Sequence, residues 1–108
     1  MSLREITPKE LRHLLEESNP PPLLLDVREA HEFEYCHIMG SVHIPMDQLP
    51  SRITELDADQ AIVVICHHGI RSLRVANYLA SCDFSQLMNL SGGVEAWARS
   101  VDPDMPRY

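Results

Sequence analysis

Positive charge is scarce in this sequence: nine lysines and arginines stand against sixteen aspartates and glutamates, a formal net charge of −7. Binding nucleic acid or anionic lipid needs a broad basic face that displaces counterions, so neither is expected as a ligand. A small anionic substrate would need a local positive pocket. Long apolar runs are missing too. No stretch approaches the roughly 20 residues that cross a bilayer, and Met1-Ser2-Leu3-Arg4-Glu5 lacks the hydrophobic segment of a secretory signal. A cytoplasmic protein with no membrane partner is the expectation. Cysteine is limited to Cys36, Cys66 and Cys82, an odd number without paired spacing. That pattern is wrong for a disulfide scaffold and fits a reducing compartment with at least one free thiol. Repeats, low-complexity tracts and charge blocks are also absent, and 108 residues with 44% hydrophobic content suit one domain spanning 1–108.

What the sequence contains is an alternation of apolar runs with helical patterns. Thr7-Pro8-Lys9-Glu10 reads as a helix start, with Thr7 as N-cap, Pro8 at the first position and Glu10 closing a capping box. Ile6 is placed to staple onto Leu11, and Leu11, Leu14 and Leu15 mark the buried face. Asn19-Pro20-Pro21-Pro22 ends that helix and leads into Leu23-Leu24-Leu25-Asp26-Val27, apolar on both faces like a strand covered by helices. Ser41-Val42-His43-Ile44 is a shorter strand candidate, and Leu49, Ile53 and Leu56 give the stripe of another helix. Ala61-Ile62-Val63-Val64-Ile65, β-branched at four of five positions, should be the central strand. Leu73, Ala76, Leu79 and Ala80 predict a helix from Ser72 to about Ser81. A last strand is expected near Gln86 to Leu90, followed by Gly92-Gly93 and a short helix holding Trp97. Such alternation implies an α/β domain with a mainly parallel sheet, whose ligands bind beyond the carboxyl ends of the strands.

Cys66 lies at one of those ends. The segment Cys66-His67-His68-Gly69-Ile70-Arg71-Ser72 joins the central strand to the first turn of a helix, so its backbone N–H groups can converge on the Cys66 sulfur. A helix N-terminus carries unpaired donors and partial positive charge, and Arg71 adds a full charge, all of which favour thiolate over thiol. A lone cysteine after an apolar run is more often buried and structural; the loop composition reverses that reading. Gly69 allows the backbone to curl tightly. His67 and His68 can donate to an anionic substrate or, when protonated, help ionise the thiol; the residues leave both roles open. Asp26 is expected to organise the neighbouring loops through backbone hydrogen bonds, and Arg28 to form an ion pair with Glu32.

The loop from Cys66 to Ser72 resembles the active-site loop of the rhodanese family of sulfurtransferases. Three further segments agree in order. Leu25-Asp26-Val27-Arg28, with Glu32-Phe33 following, resembles the family's DVR stretch; His37 to Pro45 resembles its HIPGAxNIP segment; and Leu90 to Trp97 resembles its GG..AW signature. Departures are Cys36 in place of the usual glycine and Met39 in place of a frequent proline. The resemblance implies a five-stranded parallel sheet with helices on both faces, and a two-step exchange on Cys66. In it, His67, His68, Gly69, Ile70, Arg71 and Ser72 would bind substrate, Arg71 would supply charge and anion contact, and Asp26 with Arg28 would support the frame. A small anionic sulfur donor and a thiophilic acceptor, cyanide, a thiol or a protein cysteine, are the implied partners, with no metal or organic cofactor.

Two other functions compete. Cysteine phosphatases of related fold place five residues between cysteine and arginine, whereas four, His67 to Ile70, intervene here and Ser72 falls where that arginine would stand. A binding-only rhodanese-like module is the other, and the presence of Cys66 argues against it. Elsewhere the bland readings prevail. Cys36 and Cys82 read as structural, although Cys36 approaching Cys66 would make a resolving thiol. The histidines lack the ligand spacing of a zinc site, so His37 and His43 read as hydrogen-bonded structural residues. Trp97 reads as core, and the tail from Asp102 to Tyr108 as a surface segment without function.

Overall fold

The computed structural model describes residues 3–108. Strands and helices alternate along it: β1 (Leu3–Ile6), α1 (Pro8–Glu17), β2 (Leu23–Asp26), α2 (Ala30–Tyr35), β3 (Val42–His43), α3 (Leu49–Arg52), β4 (Ile62–Ile65), α4 (Ile70–Ser81), β5 (Leu87–Leu90) and α5 (Gly93–Ser100). The five strands form one sheet in the order β1-β5-β4-β2-β3, with every pairing parallel. This is the α/β architecture the resemblance implies, with β4 at its centre.

Every residue of β4 is fully buried, which is why the strand shows no polar alternation. Its side chains divide between two cores. Val63 and Ile65 pack with Leu11 of α1 and Val94, Trp97 and Ala98 of α5, while Ile62 and Val64 pack with Leu49 of α3 and Val75, Ala76 and Leu79 of α4. Each buried valine, leucine or isoleucine among them contributes roughly 1.5–3 kcal/mol by leaving water. The alternation continues one residue past the strand, so Cys66 arrives on the α4 side at the carboxyl edge.

The start of α1 is as the sequence implies: Thr7 Oγ1 accepts from Glu10 N–H at 3.1 Å, and Glu10 Oε1 accepts from Thr7 N–H at 2.8 Å. Three details differ from the sequence reading. β1 and α2 were not expected from their residues. β1 is an edge strand with Arg4 and Glu5 exposed, held by its register against β5 rather than by an apolar pattern of its own. The stripe Leu49, Ile53, Leu56 forms only four α-helical residues before tightening into a 3-10 turn at Ile53–Glu55. On α4 the buried face is Ser72, Val75, Ala76 and Leu79, whereas Leu73 is 38% exposed. A polar serine takes the inner position because it faces the cysteine loop.

Among the described residues no helix is long and apolar enough to cross a membrane.

Candidate active site

The loops after β1, β2, β4 and β5 meet at the carboxyl edge of the sheet, and backbone chemistry fixes the cysteine loop among them. Gly69 takes φ +95° at the N-cap of α4 and offers no side chain to cap the helix. The Cys66 sulfur fills that role. It accepts from the N–H of Ser72, the third helical residue, at 3.3 Å, and from the N–H of Gly69 at 3.1 Å. On the other side of the loop the carbonyls of Cys66 and His67 accept from Val94 and Glu95 N–H at 2.9 and 3.2 Å, satisfying the first turn of α5. Only glycine permits this approach, since a Cβ on Gly93 would lie 2.3 Å from the Cys66 carbonyl oxygen. The Gly92-Gly93 turn is therefore the clamp that holds the loop in shape.

The sulfur is more enclosed than a bowl open to solvent would make it. Cys66 is 1% exposed and packs with Leu25, Val27, Val64 and Val75 on one side, with the polar loop on the other. In such a low-dielectric place each hydrogen bond to the sulfur counts for more than in water. Ser72 Oγ stands 3.2 Å from it and donates to Asn89 Oδ1 at 2.5 Å. Asn89, on β5, is itself fixed by bonds from its Nδ2 to the Gly69 carbonyl at 3.0 Å and to the Glu5 carboxylate at 3.0 and 3.1 Å.

One sequence expectation about charge is corrected. Arg28 does not pair with the Glu32 carboxylate. It turns inward, fully buried, and clasps Asp26 through Nε at 3.0 and 3.1 Å and Nη2 at 2.7 Å; Nη2 also donates to the Cys36 carbonyl at 2.7 Å, and Glu32 meets it through its backbone carbonyl alone, at 3.4 Å. Burial alone would lower the Arg28 pKa, but hydrogen bonds and charge from Asp26, joined by Tyr108, outweigh it and raise the pKa above the ordinary value. Asp26 does order the adjacent backbone, accepting from Arg28 N–H at 3.1 Å. Arg71, expected to face an anion, is held by Glu32 through two bonds of 2.8 and 2.9 Å. Glu32 points at the first turn of α4 because it sits one turn into α2, where it also accepts from Glu29 N–H at 3.1 Å. The Arg71 bonds hold its carboxyl at about 2, against the opposing effect of burial. The cavity of about 320 Å³ that Arg71 lines also carries Glu29 and Asp47, so it presents no cationic face.

The tail is a second correction, because it folds back onto the site. Met105 is buried in the α1/α5 core, Arg107 pairs with Glu95, and the Tyr108 ring stacks on His67 with centroids 3.8 Å apart. The Tyr108 hydroxyl donates to Glu32 Oε2 at 2.8 Å and accepts from Arg28 Nη1 at 2.8 Å, bridging the Asp26–Arg28 and Glu32–Arg71 pairs. Burial, helped by Glu32, pushes its phenol up to about 12. His67 lies between Tyr108 and His68, whose ring is 3.9 Å away. Burial, and then the neighbouring His68, lowers the His67 pKa and so disfavours the protonated ring. Its Nε2 is buried without a hydrogen-bond partner among the described residues. His68 is exposed beside an open hollow it shares with Glu95, Arg99, Arg107 and Tyr108, where two arginines share one carboxylate. Two guanidinium groups against one carboxylate leave an excess of positive charge in that hollow. Ile70 is 69% exposed at the loop rim.

Residues 7–100 match the family description Rhodanese-like domain. The chain belongs to the rhodanese-like domain family. Among its relatives is thiosulfate sulfurtransferase GlpE of Pseudomonas savastanoi pv. phaseolicola, 36% identical over 101 residues that cover 94% of this chain and 92% of that one. Adenylyltransferase and sulfurtransferase MOCS3-1 of Zea mays is 37% identical over 110 residues, covering 95% of this chain. The chain spans only about a quarter of the length of such two-activity relatives, 23% in that case. Among solved structures, a rhodanese-like domain protein from Staphylococcus aureus superposes with a TM-score of 0.84 at 30% identity, covering 97% of this chain and 98% of that one.

Within this rhodanese-like frame the loop residues from Cys66 to Ser72 come together with Asp26 and Arg28 at one edge of the sheet. Sequence reasoning passed over Glu5, Glu32 as a partner of Arg71, Asn89 and Tyr108. Glu32 lies in the stretch after Arg28, but nothing in that spacing points to Arg71, and each of the four is joined to the site by chain separations of 17 to 84 residues. His37 and His43 stay outside the site: both stack on Phe33 and bond to backbone carbonyls at 2.8 and 2.7 Å. Cys36 belongs to the core on the opposite face of the sheet from Cys66, and Cys82 is half-buried at the end of α4.

Proposed function

We propose that this chain is a one-domain cytoplasmic sulfurtransferase that carries a sulfane sulfur as a persulfide on Cys66. The observation that supports it is the pair of N–H groups, from Gly69 and Ser72, converging on the Cys66 sulfur at the head of α4. Donors fixed by the backbone stabilise negative charge on that sulfur without reorganising when it develops. The Cys66 thiolate attacks the outer sulfur of thiosulfate or a similar donor; the donor S–S bond breaks, and sulfite leaves with the bonding electrons. The enzyme keeps a Cys66 S–S⁻ group, held by the same donors. A thiophilic acceptor, cyanide, a thiol or a partner protein's cysteine, then attacks the outer sulfur and the Cys66 thiolate leaves. This is covalent, ping-pong catalysis. A dianionic donor is drawn to the hollow with Arg99 and Arg107 beside His68, while Asp26, Arg28, Glu32 and Tyr108 brace the loop from behind. The four-residue spacing from Cys66 to Arg71 makes the cradle narrow for a phosphoryl group and sufficient for a single sulfur.

Intact-mass measurement after incubation with thiosulfate tests this reading. Wild type is expected to gain one sulfur atom, removable by cyanide, and Cys66→Ser to gain none. An unmodified wild type that hydrolyses an aryl phosphate would replace transfer by phosphatase chemistry; one inert to both substrates would make the domain a binding module.

A further inference from the structure

The Ser72 hydroxyl has one proton and two neighbouring atoms able to accept it. Its oxygen lies 3.2 Å from Cys66 Sγ and 2.5 Å from Asn89 Oδ1, all three groups being buried. The orientation of Asn89 decides where the proton goes. Its Nδ2 group faces only acceptors: Glu5 Oε1 at 3.1 Å, Glu5 Oε2 at 3.0 Å and the Gly69 carbonyl at 3.0 Å. Turning the amide over would set Oδ1 against those oxygens and lose all three bonds. Oδ1, which can only accept, is therefore held toward Ser72, and the hydroxyl proton lies on the Asn89 side. A lone pair is left facing the sulfur.

That lone pair suits a thiol, whose S–H donates to Ser72 Oγ. It does not suit a sulfur anion. For the thiolate or the persulfide to gain the hydroxyl as a donor, the O–H must rotate and leave Asn89 Oδ1 buried without a partner, which carries a desolvation cost. The Gly69 and Ser72 amides point at the sulfur in either state, so the hydroxyl is the adjustable donor of the three.

We propose that Asn89, oriented by Glu5, is a positioning residue that competes with the Cys66 sulfur for the Ser72 proton and so restrains the resting thiol from ionising. The inference rests on the reading of Cys66 as the nucleophile and adds a residue that sets its reactivity. Glu5 is exposed on the edge strand β1 and is further anchored by Ser91 Oγ at 2.7 Å, so the restraint reaches the surface.

The test is the pH profile of Cys66 alkylation by iodoacetamide, read from the mass of the peptide that contains it so that Cys36 and Cys82 do not interfere. Asn89→Leu keeps the size of the side chain and removes the acceptor. Glu5→Gln replaces one carboxylate acceptor by an amide donor, which weakens the hold on Nδ2 while the Gly69 carbonyl still opposes a full turn of the Asn89 amide. Asn89→Leu should be alkylated roughly five- to tenfold faster near pH 7, and Glu5→Gln faster by a smaller factor, with the profile moved to lower pH and no rise in the alkaline plateau. In a Ser72→Ala background Asn89→Leu should have no further effect. Unchanged or slower alkylation in the variants, or equal acceleration with and without Ser72, overturns the proposal. Should Asn89→Leu fail to fold by circular dichroism, Glu5→Lys at its exposed position, which sets a cation where the Nδ2 acceptors stood, carries the test: faster alkylation is expected, and unchanged alkylation overturns the proposal. Sulfur uptake from thiosulfate is measured separately: failed uptake with the alkylation shifts intact removes the transfer reading and leaves the competition for the proton standing.

Discussion

Replacing Glu32 by Gln removes the charge that ties α2 to the first turn of α4 while preserving shape. The wild-type carboxyl is held at about 2, primarily by Arg71, against an ordinary 4.5. That gap corresponds to roughly 3 kcal/mol of folding stability at neutral pH. Arg71 is a third exposed, with a relative side-chain accessibility of 33%, and solvent screening trims the value to about 2 kcal/mol. The sign follows from the depressed pKa: the contribution is complete above the unfolded value of 4.5 and is lost as pH falls toward about 2. Protonated Glu32 and its Gln replacement are nearly equivalent, so wild type and variant should converge in acid. Trp97, the sole tryptophan and buried in the core, gives a fluorescence signal for urea unfolding. The expected result is a stability difference of about 2 kcal/mol at neutral pH that falls to roughly half near pH 3. A difference of the same size at both pH values would refute the electrostatic account and leave packing as the cause.

Two substitutions test the frame around the loop. Gly93→Ala places a Cβ against the backbone carbonyls of Cys66 and His67 at 2.3 and 2.4 Å; neither can swing aside, so stability should fall by about 1–3 kcal/mol and sulfur uptake on Cys66 should be lost, as read by chemical denaturation and intact mass. Asp26→Asn leaves the fully buried Arg28 guanidinium without its anion; denaturation should register a loss of about 3–5 kcal/mol, because an uncompensated buried charge remains. A loss under 1 kcal/mol would mean that Arg28 escapes to solvent.

Much of the architecture was legible because it follows from local rules. Ile62 to Ile65 are buried on both faces in the centre of the sheet, and a β-branched run without polar alternation states as much. The capping box at Thr7 and Glu10 formed as written. Cys66 could be placed because the side-chain alternation of β4 carries one residue further, and because Gly69 at φ +95° starts the next helix. β1 was illegible for the opposite reason. Two of its four residues are charged and exposed, and only the partner strand β5 makes it a strand.

The wiring of charges resisted sequence reading for a related reason. Arg28 has a carboxylate two residues before it and another four residues after it, and spacing alone favours Glu32. What decides is depth. Arg28 and Asp26 both end with fully buried side chains, where a guanidinium needs the nearest carboxylate at full contact, and the more accessible Glu32 is left to Arg71 from α4 and to Tyr108 from the tail. The same principle explains Asn89. On an apolar strand a single asparagine reads as an interruption, yet at 2% exposure each of its polar atoms must be satisfied. The partners that satisfy it, Glu5, Gly69 and Ser72, come from an edge strand, a loop and a helix. A buried amide in that position becomes informative only when its partners are known, and here they direct the Ser72 proton toward Asn89 and leave a Ser72 lone pair facing the Cys66 sulfur.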